Sequence, residues 1–141
     1  MKASVSGVRP EIVRVLLADD HDPYRQRLRE FLDEEPDIQV VAEARDGRAA
    51  VRLAGELQPD VVVMDVTMQL LGGLEATRLI KEAFPAVKVL ALSMHRQRSF
   101  VEGMLAAGAA GYVLKEDAMS ELPDALRTVF GEGTYLSPSL G

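Results

Sequence analysis

The sequence predicts an α/β fold: one doubly wound domain with a parallel five-stranded sheet and helices on both faces. Three observations predict it. Five short apolar runs alternate with five stretches of helical periodicity. The runs are apolar at almost every position, which marks strands buried on both sides rather than strands with one wet face. Right-handed crossovers between parallel strands then distribute the helices over both faces of the sheet.

Each element has its own signal. Ile12 to Ala18 is a β-branched run closed by Asp19-Asp20. Asp22-Pro23 reads as an N-cap followed by proline at the first helical position, with Tyr24, Leu28, Phe31 and Leu32 at helical spacing and Pro36 as terminator. Ile38 to Ala44 is the second strand, and Asp46-Gly47 opens a helix whose apolar side is Ala50, Ala54 and Leu57. The third strand is Asp60 to Asp65, after Pro59. Gly72-Gly73 leads into a helix carrying Ala76, Leu79, Ile80, Ala83 and Phe84. Val87 to Ser93 is strand four. Its helix carries Phe100, Val101, Met104 and Leu105, with Gly108 as a natural C-terminal stop. Gly111 to Leu114 is strand five, and Leu122, Ala125, Leu126, Val129 and Phe130 line the last helix, with Pro123 expected in its first turn. Residues 12–131 thus form the domain. The Gly-, Ser- and Pro-rich flanks read as an N-terminal extension (1–11) and the start of a linker (132–141).

Composition narrows the function. At 141 residues, 48% hydrophobic and 27% charged, the chain has the make-up of a globular domain. It has no cysteine, which excludes a disulfide framework, a thiolate metal site and cysteine catalysis, and fits a reducing compartment. Charge interrupts every apolar stretch before the ~18 residues a membrane span needs, and Met1 to Pro10 lack the apolar run of a secretion signal. A net charge of -6 argues against nucleic-acid binding by this chain alone. The expectation is a cytoplasmic protein without membrane contact.

Ligands of open α/β sheets bind beyond the carboxyl ends of the strands, at a topological switch point. Strand one ends in Asp19-Asp20, strand three in Asp65, strand four in Ser93 and strand five at Lys115. Strand two ends in Glu43-Ala44-Arg45, which adds no distinctive chemistry. With strand order 2-1-3-4-5, three carboxylates, a hydroxyl and an ammonium converge. Oxygen donors without His or Cys suit Mg²⁺, with Mn²⁺ as the alternative. The lysine and hydroxyl suit the oxygens of a phosphoryl group, and one carboxylate would be its acceptor. Singly, each residue has a plainer reading: an acid as helix cap, a solvated lysine, a serine in a turn. The constellation carries the argument.

The segments VLLADDH (15–21), VVVMDVTM (61–68), GGLEAT (72–77), VLALSMH (89–95), GAAGYVLKEDA (108–118) and GTYLSP (133–138) resemble, in order, the receiver domain of bacterial two-component response regulators. The phrasing is similar to the NarL/FixJ branch, whose members carry a LuxR-type DNA-binding module after the receiver. The resemblance implies a flavodoxin-like (βα)5 fold. It implies Asp65 as phosphoacceptor from a sensor histidine kinase, and Mg²⁺ held by Asp19, Asp20, Asp65 and the backbone carbonyl of Thr67. Lys115 and Ser93 would bind the phosphoryl group, Ser93 and Tyr112 would form the switch, and Thr67 and His95 would tune the phosphoryl lifetime. It further implies self-catalysed phosphorylation rather than enzymatic turnover, homodimerisation on phosphorylation, and DNA contact only through an output domain beyond this chain. Gln69 departs from the proline usual at its position, Gly72 from a polar residue, and Arg96-Gln97-Arg98 from acids. The first two departures predict a looser loop 66–73. Two rivals stand beside this reading: a small Mg²⁺-dependent phosphatase like the haloacid dehalogenases, which lacks its second acid at Thr67, and a pseudo-receiver that binds partners without phosphorylation. A nucleotide-binding flavodoxin-like protein is weaker, since no Gly-rich phosphate loop follows any strand.

Overall fold

Side chains alternate along the strands, and this divides the interior into two cores, one on each side of the sheet. The computed structural model describes residues 11–140. Its elements run β1 (Val13–Ala18), α1 (Asp22–Asp33), β2 (Ile38–Ala44), α2 (Gly47–Leu57), β3 (Val61–Asp65), α3 (Gly73–Ala83), β4 (Lys88–Ser93), α4 (Arg98–Ala106), β5 (Gly111–Leu114), α5 (Ala118–Phe130) and β6 (Tyr135–Leu136). Val13, Val15, Leu17, Val61, Val63, Leu90, Leu92 and Val113 face α1 and α5, meeting Leu28, Leu32, Leu122 and Leu126. Leu16, Ala18, Val62, Met64, Val89, Ala91, Tyr112 and Leu114 face the other way, onto Ala50, Ala54, Ala76, Ile80 and Met104 of α2, α3 and α4. The first core is built of branched aliphatic side chains. The second is rich in alanine and methionine.

The sheet is parallel in the order β2-β1-β3-β4-β5-β6. The expected order of the first five strands stands, and the count is corrected from five to six. Tyr135 and Leu136 pair with Gly111 and Tyr112, so the stretch expected to be only linker adds an edge strand. Side chains hold it there. The buried Ser137 hydroxyl accepts from the Leu114 N–H at 3.0 Å and donates to Glu121 at 2.8 Å. Most of the expected extension, residues 1–10, and Gly141 lie outside the described residues.

Helix starts show why some boundaries were legible and others not. Asp46 is the N-cap of α2, its carboxylate accepting from Ala49 N–H at 2.8 Å. Asp22 is not a cap. His21 holds that position without a side-chain bond, because Asp22, inside the first turn, is drawn to Arg25 and Arg45. Pro123 lies five residues beyond the start of α5, not in its first turn, because a 3₁₀ turn over Lys115–Asp117 brings the buried Ala118 into the helix early. On α3 the buried polar residue is Thr77, while Leu79 is 36% exposed. No helix among the described residues is long and apolar enough to cross a membrane.

Candidate functional site

β1 and β3 are central strands; Asp19 directly follows β1 and Asp65 ends β3, at the same edge of the sheet. Asp19 and Asp65 are 1% and 3% exposed, whereas Asp20 faces solvent. One oxygen of each lies within 4.8 Å of the others. Lys115, just past β5, reaches across with its Nζ 3.0 Å from Asp19 Oδ2 and 3.3 Å from Asp65 Oδ2. The backbone fixes the remaining oxygens: His21 N–H donates to Asp19 Oδ1 at 2.8 Å and Thr67 N–H to Asp65 Oδ1 at 3.2 Å. A cleft of about 750 Å³ opens over this edge, lined by Asp20, Tyr24, Thr67, Met94, His95 and Lys115 among others.

Electrostatics single out Asp65. Burial, reinforced by the Asp19 charge, pushes its carboxyl up to about 7, against the partial compensation of Lys115 and the Thr67 N–H. Two buried carboxylates sharing one ammonium leave an excess of negative charge. Asp19 Oδ2 is buried without a hydrogen bond, since the lysine stands near it outside hydrogen-bonding geometry. An all-oxygen donor set, an excess of anion and an orphaned carboxylate oxygen fit a hard divalent cation.

Ser93 ends β4, buried, with its Oγ accepting from His95 N–H at 2.9 Å. Tyr112 is wholly buried and donates from its hydroxyl to the His95 carbonyl at 2.8 Å; burial raises its phenol above the ordinary value. The backbone of His95 therefore joins Ser93 to Tyr112. The His95 ring stacks on Phe100 at 4.1 Å, and its Nε2 lies 3.5 Å from Thr67 Oγ1, so it bridges the cleft rim rather than waving in solvent.

Gln69 is exposed on the β3–α3 loop, away from the acids' contacts. Gly72 is extended (φ -66, ψ 161), a conformation open to any residue. The left-handed residue of this loop is Leu70 (φ 66), in a tight turn where Leu71 N–H bonds back to the Gln69 carbonyl. A non-glycine residue in that region carries ~1–3 kcal/mol of strain. Gly73 is needed for another reason: a Cβ there would lie 2.2 Å from the Asp65 carbonyl oxygen.

The structure also brings in residues that the strand ends did not reveal. Tyr24 donates to the Lys115 carbonyl at 2.9 Å and places its ring 5.0 Å from the Lys115 Nζ, a cation–π contact. Burial pushes its phenol up. Glu43, set aside in the sequence, pairs with Arg25 and Arg29 at 2.7 Å each. Burial raises its carboxyl, but these hydrogen bonds outweigh that and leave it below the usual range. Arg25 is buried on the face of α1 that carries Leu28 and Leu32, three and seven residues on. That spacing was the available signal.

Similarity to known proteins points the same way. The pattern of the response regulator receiver domain matches residues 15–127. The chain is 39% identical to the transcriptional regulatory protein DegU of Brevibacillus brevis, over 91% of this chain and 54% of that protein. It is 41% identical to the response regulator GacA of Pseudomonas viridiflava, over 92% of this chain and 60% of GacA. The chain thus spans a little over half the length of these relatives. Among solved structures, a LuxR-family two-component response regulator from Aurantimonas sp. SI85-9A1 superposes with a TM-score of 0.88 at 38% identity, covering 92% of this chain and 93% of that one. The isolated receiver domain of RcsB from Salmonella enterica serovar Typhimurium, solved with the phosphomimetic BeF3-, gives 0.83 at 26% identity, covering 92% and 96%. RcsB is also seen as two dimers bound to two parallel DNAs, with a TM-score of 0.84 at 26% identity over 92% of this chain and 66% of that one. Sequence and fold agree over most of the chain, which belongs to the response regulator receiver domain family, with LuxR-type regulators among its relatives.

Proposed function

We propose that Asp65 is the phosphoacceptor of this receiver domain and that its donor is the phosphohistidine of a sensor kinase. The observation that carries this is the Lys115 ammonium held between buried Asp19 and Asp65 at the carboxyl edge of the sheet. Mg²⁺, or Mn²⁺ in its place, would be held by Asp19, Asp20, Asp65 and the Thr67 carbonyl. When bound, the cation offsets the acids' charge, favours ionised Asp65 at neutral pH and screens the incoming phosphoryl oxygens.

A carboxylate oxygen of Asp65 attacks phosphorus. The P–N bond of the donor breaks, its electron pair leaves on the imidazole, which takes up a proton, and Asp65 becomes an acyl phosphate. Lys115 then exchanges its contact with Asp65 for the phosphoryl oxygens. Ser93 donates its hydroxyl to another of these oxygens, and because its Oγ already holds His95 N–H, the 93–95 backbone moves with it. Tyr112, bonded to the His95 carbonyl, transmits that movement to the face formed by α4, β5 and α5. Phosphorylation shifts the population by the amount it stabilises this arrangement over the other. Thr67 and His95 at the rim set access for hydrolytic water, and Gln69 sets the stiffness of the loop behind them.

The parent reading is a cytoplasmic transcription regulator, with residues 132–141 leading toward a DNA-binding output domain and phosphorylation promoting a homodimer. Its support is the length and kind of the relatives. Intact mass after incubation with acetyl phosphate and Mg²⁺ tests the core claim. The expected result is one added phosphoryl group, dependent on Mg²⁺ and absent in Asp65→Asn. An adduct that persists in Asp65→Asn, or none in the parent protein, would overturn it.

A further inference from the structure

Asp19 and Asp20 are neighbours on one turn, so the orientation of a single peptide decides where both carboxylates point. Mutual repulsion among three acids within 4.8 Å favours relaxing that turn, and the exposed Asp20 has room to move away. Something must hold the backbone against this. The Asp19 N–H is tied to the Ala44 carbonyl of β2 at 3.0 Å. The Asp19 carbonyl accepts from Arg25 Nη1 at 2.6 Å, a buried bond.

Arg25 is itself held on every side. Its Nε meets Glu43 Oε1 at 2.7 Å and its Nη2 meets Asp22 Oδ1 at 2.8 Å. The other Glu43 oxygen takes Arg29, and the other Asp22 oxygen takes Arg45 at 2.6 Å. Glu43 and Asp22 oppose the guanidinium's charge, each shared with a second arginine. What it delivers directly to the acid turn is a buried hydrogen bond to the main chain, which fixes position. Burying an arginine to 8% exposure is costly unless each face of the fork is used, and here one prong is spent on a main-chain carbonyl of the acid turn.

We propose that Arg25, braced by Glu43, is a positioning residue that holds the Asp19–Asp20 turn in its cation-binding geometry. This rests on the reading of the acid cluster as a Mg²⁺ site. The fork geometry matters more than the charge, since a lysine ammonium lacks the rigid planar fork that reaches the Asp19 carbonyl and Glu43 at once.

The test compares Mg²⁺ affinity, by calorimetric titration, with urea stability for the parent protein, Arg25→Gln, Arg25→Lys, Glu43→Gln and Arg127→Gln. Arg127 is the control because it makes a similar network, with Glu35, Asp37 and Asp124, near the opposite end of β2. Arg25→Gln is expected to bind Mg²⁺ about 10-fold or more weakly, the usual scale for losing a residue that orients a metal ligand. Arg25→Lys should restore only part of that affinity, and Glu43→Gln, which leaves Arg25 present but unbraced, should weaken binding in the same direction. Arg127→Gln should lose stability with Mg²⁺ affinity unchanged. Parent-like Mg²⁺ affinity in both Arg25→Lys and Glu43→Gln overturns the inference while leaving the phosphoacceptor reading intact. A parent protein that binds no Mg²⁺ overturns that reading, and the inference with it.

Discussion

Replacing Asp65 by asparagine should stabilise the protein, and by an amount that grows with pH. The ordinary aspartate value is 3.8, and burial beside Asp19 pushes Asp65 up to about 7. A group whose folded value is raised has its full stability contribution below the unfolded value and loses it as pH rises through the folded one. The parent protein therefore loses stability between about pH 4 and pH 7, because the folded state resists releasing a proton that the unfolded chain gives up readily. Three units at ~1.4 kcal/mol each set a ceiling of about 4 kcal/mol, and the part that falls between pH 5 and pH 8 is about 2–3 kcal/mol. Asparagine does not ionise and escapes this loss. It also leaves Lys115 to Asp19, 3.0 Å away, so the ammonium stays paired. Urea unfolding of both proteins at pH 5 and pH 8 reads the difference directly, with any pH-independent effect of the substitution cancelling. Saturating Mg²⁺ at pH 8 should narrow the gap, because the cation favours the ionised parent. A gap of the same size at both pH values would refute the reasoning, since Asp65 would then ionise as readily in the folded protein as in the unfolded chain.

The other expectations are local. Gly73→Ala brings a Cβ to 2.2 Å from the Asp65 carbonyl, where a C···O contact needs about 3.3 Å. It should cost ~1–3 kcal/mol by urea unfolding and slow acetyl phosphate labelling by displacing Asp65. Gly72→Ser, one residue earlier, meets no atom within 4 Å and an extended backbone. It would complete a capping box with Glu75 and should raise stability by about 0.5–1 kcal/mol. Asp46→Ala removes the cap of α2 and should cost ~1 kcal/mol, measured the same way. Ser137→Ala leaves the buried Leu114 N–H without its acceptor and should cost ~1–3 kcal/mol, with hydrogen exchange accelerating at residues 135–137.

The acid edge was legible because it depends on strand ends, and continuous apolar runs mark strand ends sharply. Asp65 follows Val61-Val62-Val63-Met64, a short β-branched run after Pro59 that favours a strand over a helix. β6 was not legible: two residues, Tyr135 and Leu136, carry no periodicity, and what fixes them is a serine hydroxyl bonded to two distant elements. Asp22 failed as a cap for a similar reason. Its local preference competed with Arg25 and Arg45, and Arg45 stands 23 residues away in the chain. Strand two looked chemically empty because Glu43 acts on the site only through Arg25, and such second contacts leave no mark in spacing. Local signals found the acids, the serine and the lysine of the pocket, though not Tyr24, which lines it beside Lys115. They missed what braces it.

The two cores of the sheet should also differ in mechanical compliance. On the α1 and α5 side, interlocked Val and Leu side chains resist sliding, since each branched group sits in a single rotamer well. On the other side, α2, α3 and α4 rest on smooth alanine layers and on Met64 and Met104, whose unbranched chains refill gaps as they form. Tyr112 belongs to this softer core. In the proposed mechanism, a switch that shifts α4 by small steps is thus seated where displacement costs least, while the strands bearing the acids are backed on their other face by the stiffer core. Stiffening the soft side, for instance with Met104→Ile, is then a way to slow the switch without touching its chemistry.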